Sequence, residues 1–235
     1  MLEFKQILDW KPSKYGAGGL EALMWIKLIR LIIGLFIFSI GIVMTINAKL
    51  GLAPWDVLHQ GISRQSILTM GQASIVVGFI ILVFNFIFKE KVGIGTILNM
   101  VIIGLFLDFL MLNHSLPEPD GLPGRIALLA GGMVMISIAS YLYIGAGLGA
   151  GPRDGLMVAL HKKTGRSIRF VRNFIEISAL ISGFILGGTV GIGTVAMSVG
   201  QGYVIQFIFK LFNFNIRTVE HSYIDDNIKK AFGKA

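Results

Sequence analysis

The chain contains no cysteine, which excludes a disulfide framework and any cysteine-ligated metal site. Charge is scarce as well: 14% of the 235 residues are Asp, Glu, Lys or Arg. That leaves too little polar surface to cover a water-soluble enzyme domain of this length. Acidic residues are the rarer sign, 13 against 21 Lys and Arg, for a formal charge of +8 and a pI near 9.8. There is no Gly-Lys-Ser/Thr phosphate loop, no His-x-x-x-His pair and no pair of carboxylates on one helical turn. With no acid–base or metal set, the sequence reads as that of a non-enzyme needing no cofactor. What is present is 54% apolar residues, 30 glycines and a mean hydropathy of +0.75, which excludes disorder and points to the bilayer.

Six apolar stretches approach the length needed to cross about 30 Å of hydrocarbon at about 1.5 Å per residue. They are Leu31–Ala48, Gln72–Phe88, Ile94–Leu112, Ile126–Ala146, Asn173–Val190 and Ile192–Phe209, and Asp108 and Glu176 are the charged residues inside them. Lys27 and Arg30 precede an apolar run too long for a signal peptide, with no small-residue cleavage site behind it. With the N-terminus inside, eighteen of the 21 Lys and Arg fall on the cytoplasmic side. Lys49, Arg64 and Arg125 fall outside. Such a split predicts six spans with both termini in the cytoplasm. The basic excess then reports orientation, and nucleic-acid binding loses its support.

The two halves match at a constant offset of 98 residues. Leu50, Gly51, Pro54, Asp56 and Leu58 correspond to Leu148, Gly149, Pro152, Asp154 and Leu156, and Val92-Gly93-Ile94-Gly95-Thr96 recurs as Val190-Gly191-Ile192-Gly193-Thr194. Three spans per repeat is an odd number, so the second repeat is expected upside down relative to the first. Inverted repeats are a signature of secondary transporters; duplication for packing alone is the plainer alternative. The expected division is a cytoplasmic amphipathic tail over 1–25, one repeat over 26–116, the second over 124–213, and a cytoplasmic tail over 214–235.

Two short segments, Pro54–Arg64 and Pro152–Lys163, follow the first span of each repeat. Each starts with Pro in the first turn and Asp two residues later, as a helix N-terminus does. They either lie at the interface or dip back as re-entrant half-helices lining a cavity. Asp56 and Asp154 then sit at symmetric gate positions or merely cap their helices. Trp55 and His59 of the first segment become Arg153 and Met157 in the second, and His59 lies one turn from Asp56. The two Gly-Ile-Gly-Thr motifs open the third span of each repeat. Gly93, Gly95, Thr96, Gly191, Gly193 and Thr194 either present amides to an anion or allow close helix packing, with Thr as a cap. Asp108 is a functional candidate because an intramembrane carboxylate is costly. Its counterpart is Gln206, and each follows a Gly by one turn. Glu176 is explained by an i,i+4 ion pair with Arg172, and Asn99, Asn173 and Gln201 are further polar groups that bridge helices.

At Leu50-Gly-Leu-Ala-Pro-Trp-Asp-Val-Leu-His-Gln-Gly and Gly149-Ala-Gly-Pro-Arg-Asp-Gly-Leu-Met the chain resembles the YczE/YyaS/YitT family of bacterial membrane proteins. Gly93-Ile-Gly-Thr-Ile-Leu-Asn and Arg172-Asn-Phe-Ile-Glu176 also resemble its pattern, closest to the YczE branch, and the likeness runs from about Leu31 to Phe212. The resemblance implies a multi-pass protein of the bacterial cell membrane, with transport of a vitamin or metabolite as a suggested activity.

The expected fold is an all-α membrane protein of six transmembrane helices in two inverted three-helix repeats. The expected function is alternating-access transport of a small solute, an organic anion or vitamin-like metabolite, with Asp56, Asp154, Arg153 and Asp108 at the central site and Arg153 as the anion's partner. The lipid bilayer, the solute and a second copy in a homodimer are the expected partners. The alternative is a non-transporting membrane partner that regulates an enzyme. It rests on the six basic residues from Arg153 to Arg172 and on the amphipathic tail around Phe4, Ile7, Leu8 and Trp10.

Overall fold

The computed structural model describes residues 17–219 and 222–223. The amphipathic tail around Phe4 to Trp10 and the terminal Lys229, Lys230 and Lys234 lie outside the described residues. Among those residues the chain is all-helical, with eight α-helices. These are α1 (Ala17–Asn47), α2 (Pro54–Gln65), α3 (Met70–Ile87), α4 (Ile94–Leu112), α5 (Leu122–Gly145), α6 (Pro152–Thr164), α7 (Ile168–Ile185) and α8 (Ile192–Leu211).

The helix starts follow local chemistry. Pro54 and Pro152 occupy the first turns of α2 and α6, where a missing N–H costs nothing. Thr69 caps α3 by accepting from the Gln72 amide, while the Gln72 side chain accepts from the Thr69 amide, a reciprocal capping box. Ser167 likewise caps α7. This cap starts α7 five residues ahead of the apolar run that begins at Asn173. Its far end is also earlier than Val190: the helix closes at Ile185 and Gly187 takes φ +89°, a left-handed value that glycine adopts readily.

Five helices are long and apolar enough to cross a bilayer: α1 through Met24–Asn47, α3, α4, α5 and α8. Helix α7 differs because Arg169, Arg172 and Glu176 fall in its first half. With five such helices the chain is a multi-pass membrane protein.

Helices α1 and α5 form the central pair. Gly34 and Gly41 of α1 and Gly132 of α5 bring the two backbones together; a Cβ on Gly41 would stand 2.9 Å from the Gly132 carbonyl oxygen. Around this pair, α4 packs on α1 and α3, and α8 on α5. Each short helix packs on a long one from the other half, α2 on α7 and α6 on α3. Beyond α1, Lys49 meets Glu118 at 2.6 Å, and its hydrogen bond and charge hold that carboxyl below the usual range.

Candidate functional site

The junction of the two halves is a pair of matching backbone locks. The Gly95 amide, in the first turn of α4, donates to the Leu148 carbonyl at 2.8 Å, and the Gly193 amide, in the first turn of α8, donates to the Leu50 carbonyl at 2.7 Å. Gly51 and Gly149 pass beneath these helix starts with φ +108° and +123°, values that side chains strain to reach. A Cβ on Gly149 would lie 2.8 Å from the Gly93 Cα. Thr96 and Thr194 accept from the Gly93 and Gly191 amides at 3.2 and 3.1 Å. They therefore cap from the third helical position rather than from the cap itself. Thr96 Oγ also donates to the Ala150 carbonyl at 2.6 Å. Of the two roles open to the Gly-Ile-Gly-Thr motifs, the geometry favours close packing: the Gly95 and Gly193 amides are taken by carbonyls of the other half and the Gly93 and Gly191 amides by Thr hydroxyls.

Between these locks the first turns of α2 and α6 meet. The Arg153 guanidinium lies over the Trp55 ring, 4.4 Å from its centroid, a cation–π contact. Its Nη2 lies 3.3 Å from His59 Nε2. A guanidinium only donates, so Nε2 accepts and the ring proton belongs on Nδ1. That Nδ1 is 3.4 Å from Asp56 Oδ1, close but without hydrogen-bond alignment, and it has no hydrogen-bond partner among the described residues. His59 and Asp56 are buried, at 1% and 6% exposure, and Arg153 and Trp55 are half-buried. No side chain caps α2, so Asp56 faces this cluster instead of its own helix start. Asp154, the counterpart of Asp56, is exposed. One donor of the Arg153 fork is bonded, to His59; the other four make no hydrogen bond among the described residues.

Both short helices are anchored on the other half, α2 on the turn after α7 and α6 on the end of α3 and the turn that follows it. Arg64 and Gln65 of α2 donate to the Gly187 and Leu186 carbonyls, and the Thr189 amide donates to Gln60. In α6, Lys162 meets Glu90 at 2.8 Å, and the Pro152 carbonyl accepts from Asn85 at 2.9 Å.

The structure thus brings Asp56, Trp55, His59 and Arg153 together and places Asp108 elsewhere. The Asp108 carboxylate closes the start of α3, accepting from the Gly71 amide at 2.8 Å and from the Thr69 hydroxyl. Its counterpart Gln206 is exposed and makes no hydrogen bond among the described residues. Glu176 pairs with Arg172 at 3.0 Å, as expected, and Gln201 bridges α8 to Met133 and Ser137 of α5. The partners missed in the sequence are carbonyls, Leu50, Leu148 and Pro152, which carry no side-chain signal; the register of Leu-Gly against Gly-x-Gly-Thr across the repeat was the available clue.

The chain is similar to known proteins whose names state no activity. An uncharacterized membrane protein of Bacillus subtilis, YczE, is 39% identical over 74% of this chain and 81% of its own. An uncharacterized protein of Haemophilus influenzae is 36% identical over 77% of this chain and 82% of its own. A second Bacillus subtilis protein, YyaS, is 28% identical over 75% of this chain and 89% of its own. No solved structure matches. Residues 25–210 match the family described as "Family of unknown function (DUF6198)", and with the YczE and YyaS likeness this places the chain in that YczE-like family of membrane proteins.

Proposed function

We propose that the protein is a transporter of a small organic anion in the bacterial inner membrane, built from two inverted three-span repeats with both termini in the cytoplasm. Helix α7 is the sixth span in this reading, with Arg169, Arg172 and Glu176 at its cytoplasmic end and Ile177–Ile185 in the apolar layer. The observation that carries the proposal is the unequal state of two matched positions: Asp56 is buried against His59, while Asp154 is exposed. By the charge rule α2 belongs to the outer half and α6 to the cytoplasmic half. The site is then closed outside, where α2 is fastened to the turn at 186–189, and open inside. Two like halves in unlike states are what alternating access requires. Arg153 is the cation for the substrate, held flat by Trp55 with four donors unbonded among the described residues.

Two measurements test this. Single cysteines at Arg64 and Lys163, introduced into a chain that has none, are expected to label from opposite sides of sealed vesicles; labelling from one side overturns the inverted arrangement. Purified protein in liposomes is expected to take up at least one species from a mixed pool of labelled carboxylate and phosphate metabolites. No uptake, together with stoichiometric co-purification of an enzyme, would replace transport by regulation.

A further inference from the structure

The two halves differ most at one seam. In the first half, α3 and α4 are sealed: a Cβ on Gly104 would lie 2.7 Å from the Gly71 carbonyl oxygen, one on Gly78 would meet Met100, and Asp108 clasps the start of α3. At the matching positions of the second half stand Arg169, Gly202, Glu176 and Gln206. Arginine and glutamate replace the glycines that allow close approach, so α7 and α8 do not pack on each other. Gly202 has nothing within 4 Å of where its Cβ would lie. Helix α8 is the less buried of the two matched helices, α4 the more.

What fills such a seam is set by its chemistry. In the six-span reading α7 and α8, joined by the short turn after Ile185, cross the bilayer in opposite directions, which puts the first turn of α7 and the last turn of α8 at the cytoplasmic end. That end carries Arg169 and Lys210, both exposed and without a partner among the described residues, since Arg172 is taken by Glu176. Away from it the exposed side chains include the apolar Ile177 and Ile181 on α7 and Val195 and Val199 on α8, with Ser178, Ser182 and Ser198 as small polar neighbours. From Arg169 to Ile181 the helix rises about 18 Å, close to the depth of one leaflet, about 15 Å. A second copy is a poorer fit: a two-fold axis normal to the membrane would set Arg169 and Lys210 against their own copies.

We propose that the open seam between α7 and α8 binds one anionic phospholipid of the cytoplasmic leaflet, its headgroup phosphate on Arg169 and Lys210 and an acyl chain along Ile177, Ile181, Val195 and Val199. The assignment rests on α7 being the sixth span and not on transport, so a failure of uptake leaves it standing.

The test uses the full chain in detergent with phosphatidylglycerol or phosphatidylcholine, read by native mass spectrometry. One phosphatidylglycerol is expected to stay bound at least tenfold more tightly than phosphatidylcholine. The R169Q/K210Q variant is expected to lose about tenfold or more, while K89Q, which removes another cytoplasmic-side lysine, keeps the lipid. A fluorophore on a single cysteine at Val199 is expected to be quenched by brominated phosphatidylglycerol in the wild-type background and less in R169Q/K210Q, which places the lipid in the seam even if stability changes. Equal retention of both lipids, an unchanged R169Q/K210Q variant, displacement by excess glycerol phosphate, or a disulfide-linked dimer through V199C would each overturn the assignment, the last two in favour of a soluble phosphate or a second copy.

Discussion

At Arg153 a guanidinium carries one charge, one flat face and five N–H donors, and the site uses these separately. The face rests on Trp55, one donor meets His59, and the charge offsets buried Asp56. A lysine would supply only the charge. Removing the cation leaves Asp56 uncompensated, so Arg153→Met is expected to destabilise the protein by about 1–3 kcal/mol. If the two groups are coupled, Asp56→Asn in the Arg153→Met background restores part of that loss. A double-mutant cycle measured by denaturation in detergent checks this, and additivity within about 0.5 kcal/mol would show the two groups to be independent. The residues of this cluster were legible as types, because a Pro-x-Asp helix start with Trp and His beside it, repeated with Arg, marks both segments. Their meeting was not legible: His59 and Arg153 lie 94 residues apart in the chain, and only packing sets that distance. Asp108 shows the converse. A carboxylate inside an apolar span was a sound reason to single it out, and its cost is met by the Gly71 amide and Thr69 hydroxyl, partners one helix away that no spacing rule names.

Individual helices were legible where a cap or proline fixes them and less so where an apolar run stood in for a boundary. Both short helices begin at the prolines named for them, and α4 and α8 begin within the Gly-Ile-Gly-Thr motifs. Helix α7 is displaced toward the N-terminus because Ser167 supplies a cap inside a basic stretch that hydropathy discounts. The repeat predicts like packing for like helices, and the pair α7–α8 breaks it. Two glycine substitutions isolate that difference. Gly104→Ala pushes a methyl group into Ile75 and the Gly71 carbonyl, and is expected to cost about 1–3 kcal/mol by overpacking. Gly202→Ala, its counterpart, meets open space and is expected to leave stability unchanged or slightly raised. Thermal unfolding of the two variants in one detergent decides: equal losses would mean that α7 and α8 pack together after all.

Across the whole molecule the two locks and the two short helices act at different levels. Each lock joins the start of a long helix to a loop of the other half by backbone hydrogen bonds of nearly equal length, 2.8 and 2.7 Å, so the pseudo-symmetric frame is held the same way on both sides. The side chains of the short helices are not held the same way: α2 is tied to the turn at 186–189 by three polar contacts, and α6 to Glu90 of the opposite turn through Lys162 and to α3 through the Asn85 bond. In the transport proposed above, a frame fixed by symmetric bonds and short helices fixed by unequal ones would let the short helices exchange states without remaking the frame. Cysteine accessibility reads that exchange directly. A cysteine in place of exposed Asp154 is expected to react with a membrane-impermeant maleimide added from the cytoplasmic side at least tenfold faster than one in place of buried Asp56 reacts with reagent added from outside. Loosening α2 by Arg64→Ala and Gln60→Ala removes two of its ties, and under alternating access is expected to raise the Asp56→Cys rate while lowering the Asp154→Cys rate. If loosening α2 raises the first rate and leaves the second untouched, the two short helices move independently, and alternating access between the halves is the wrong mechanism for this fold.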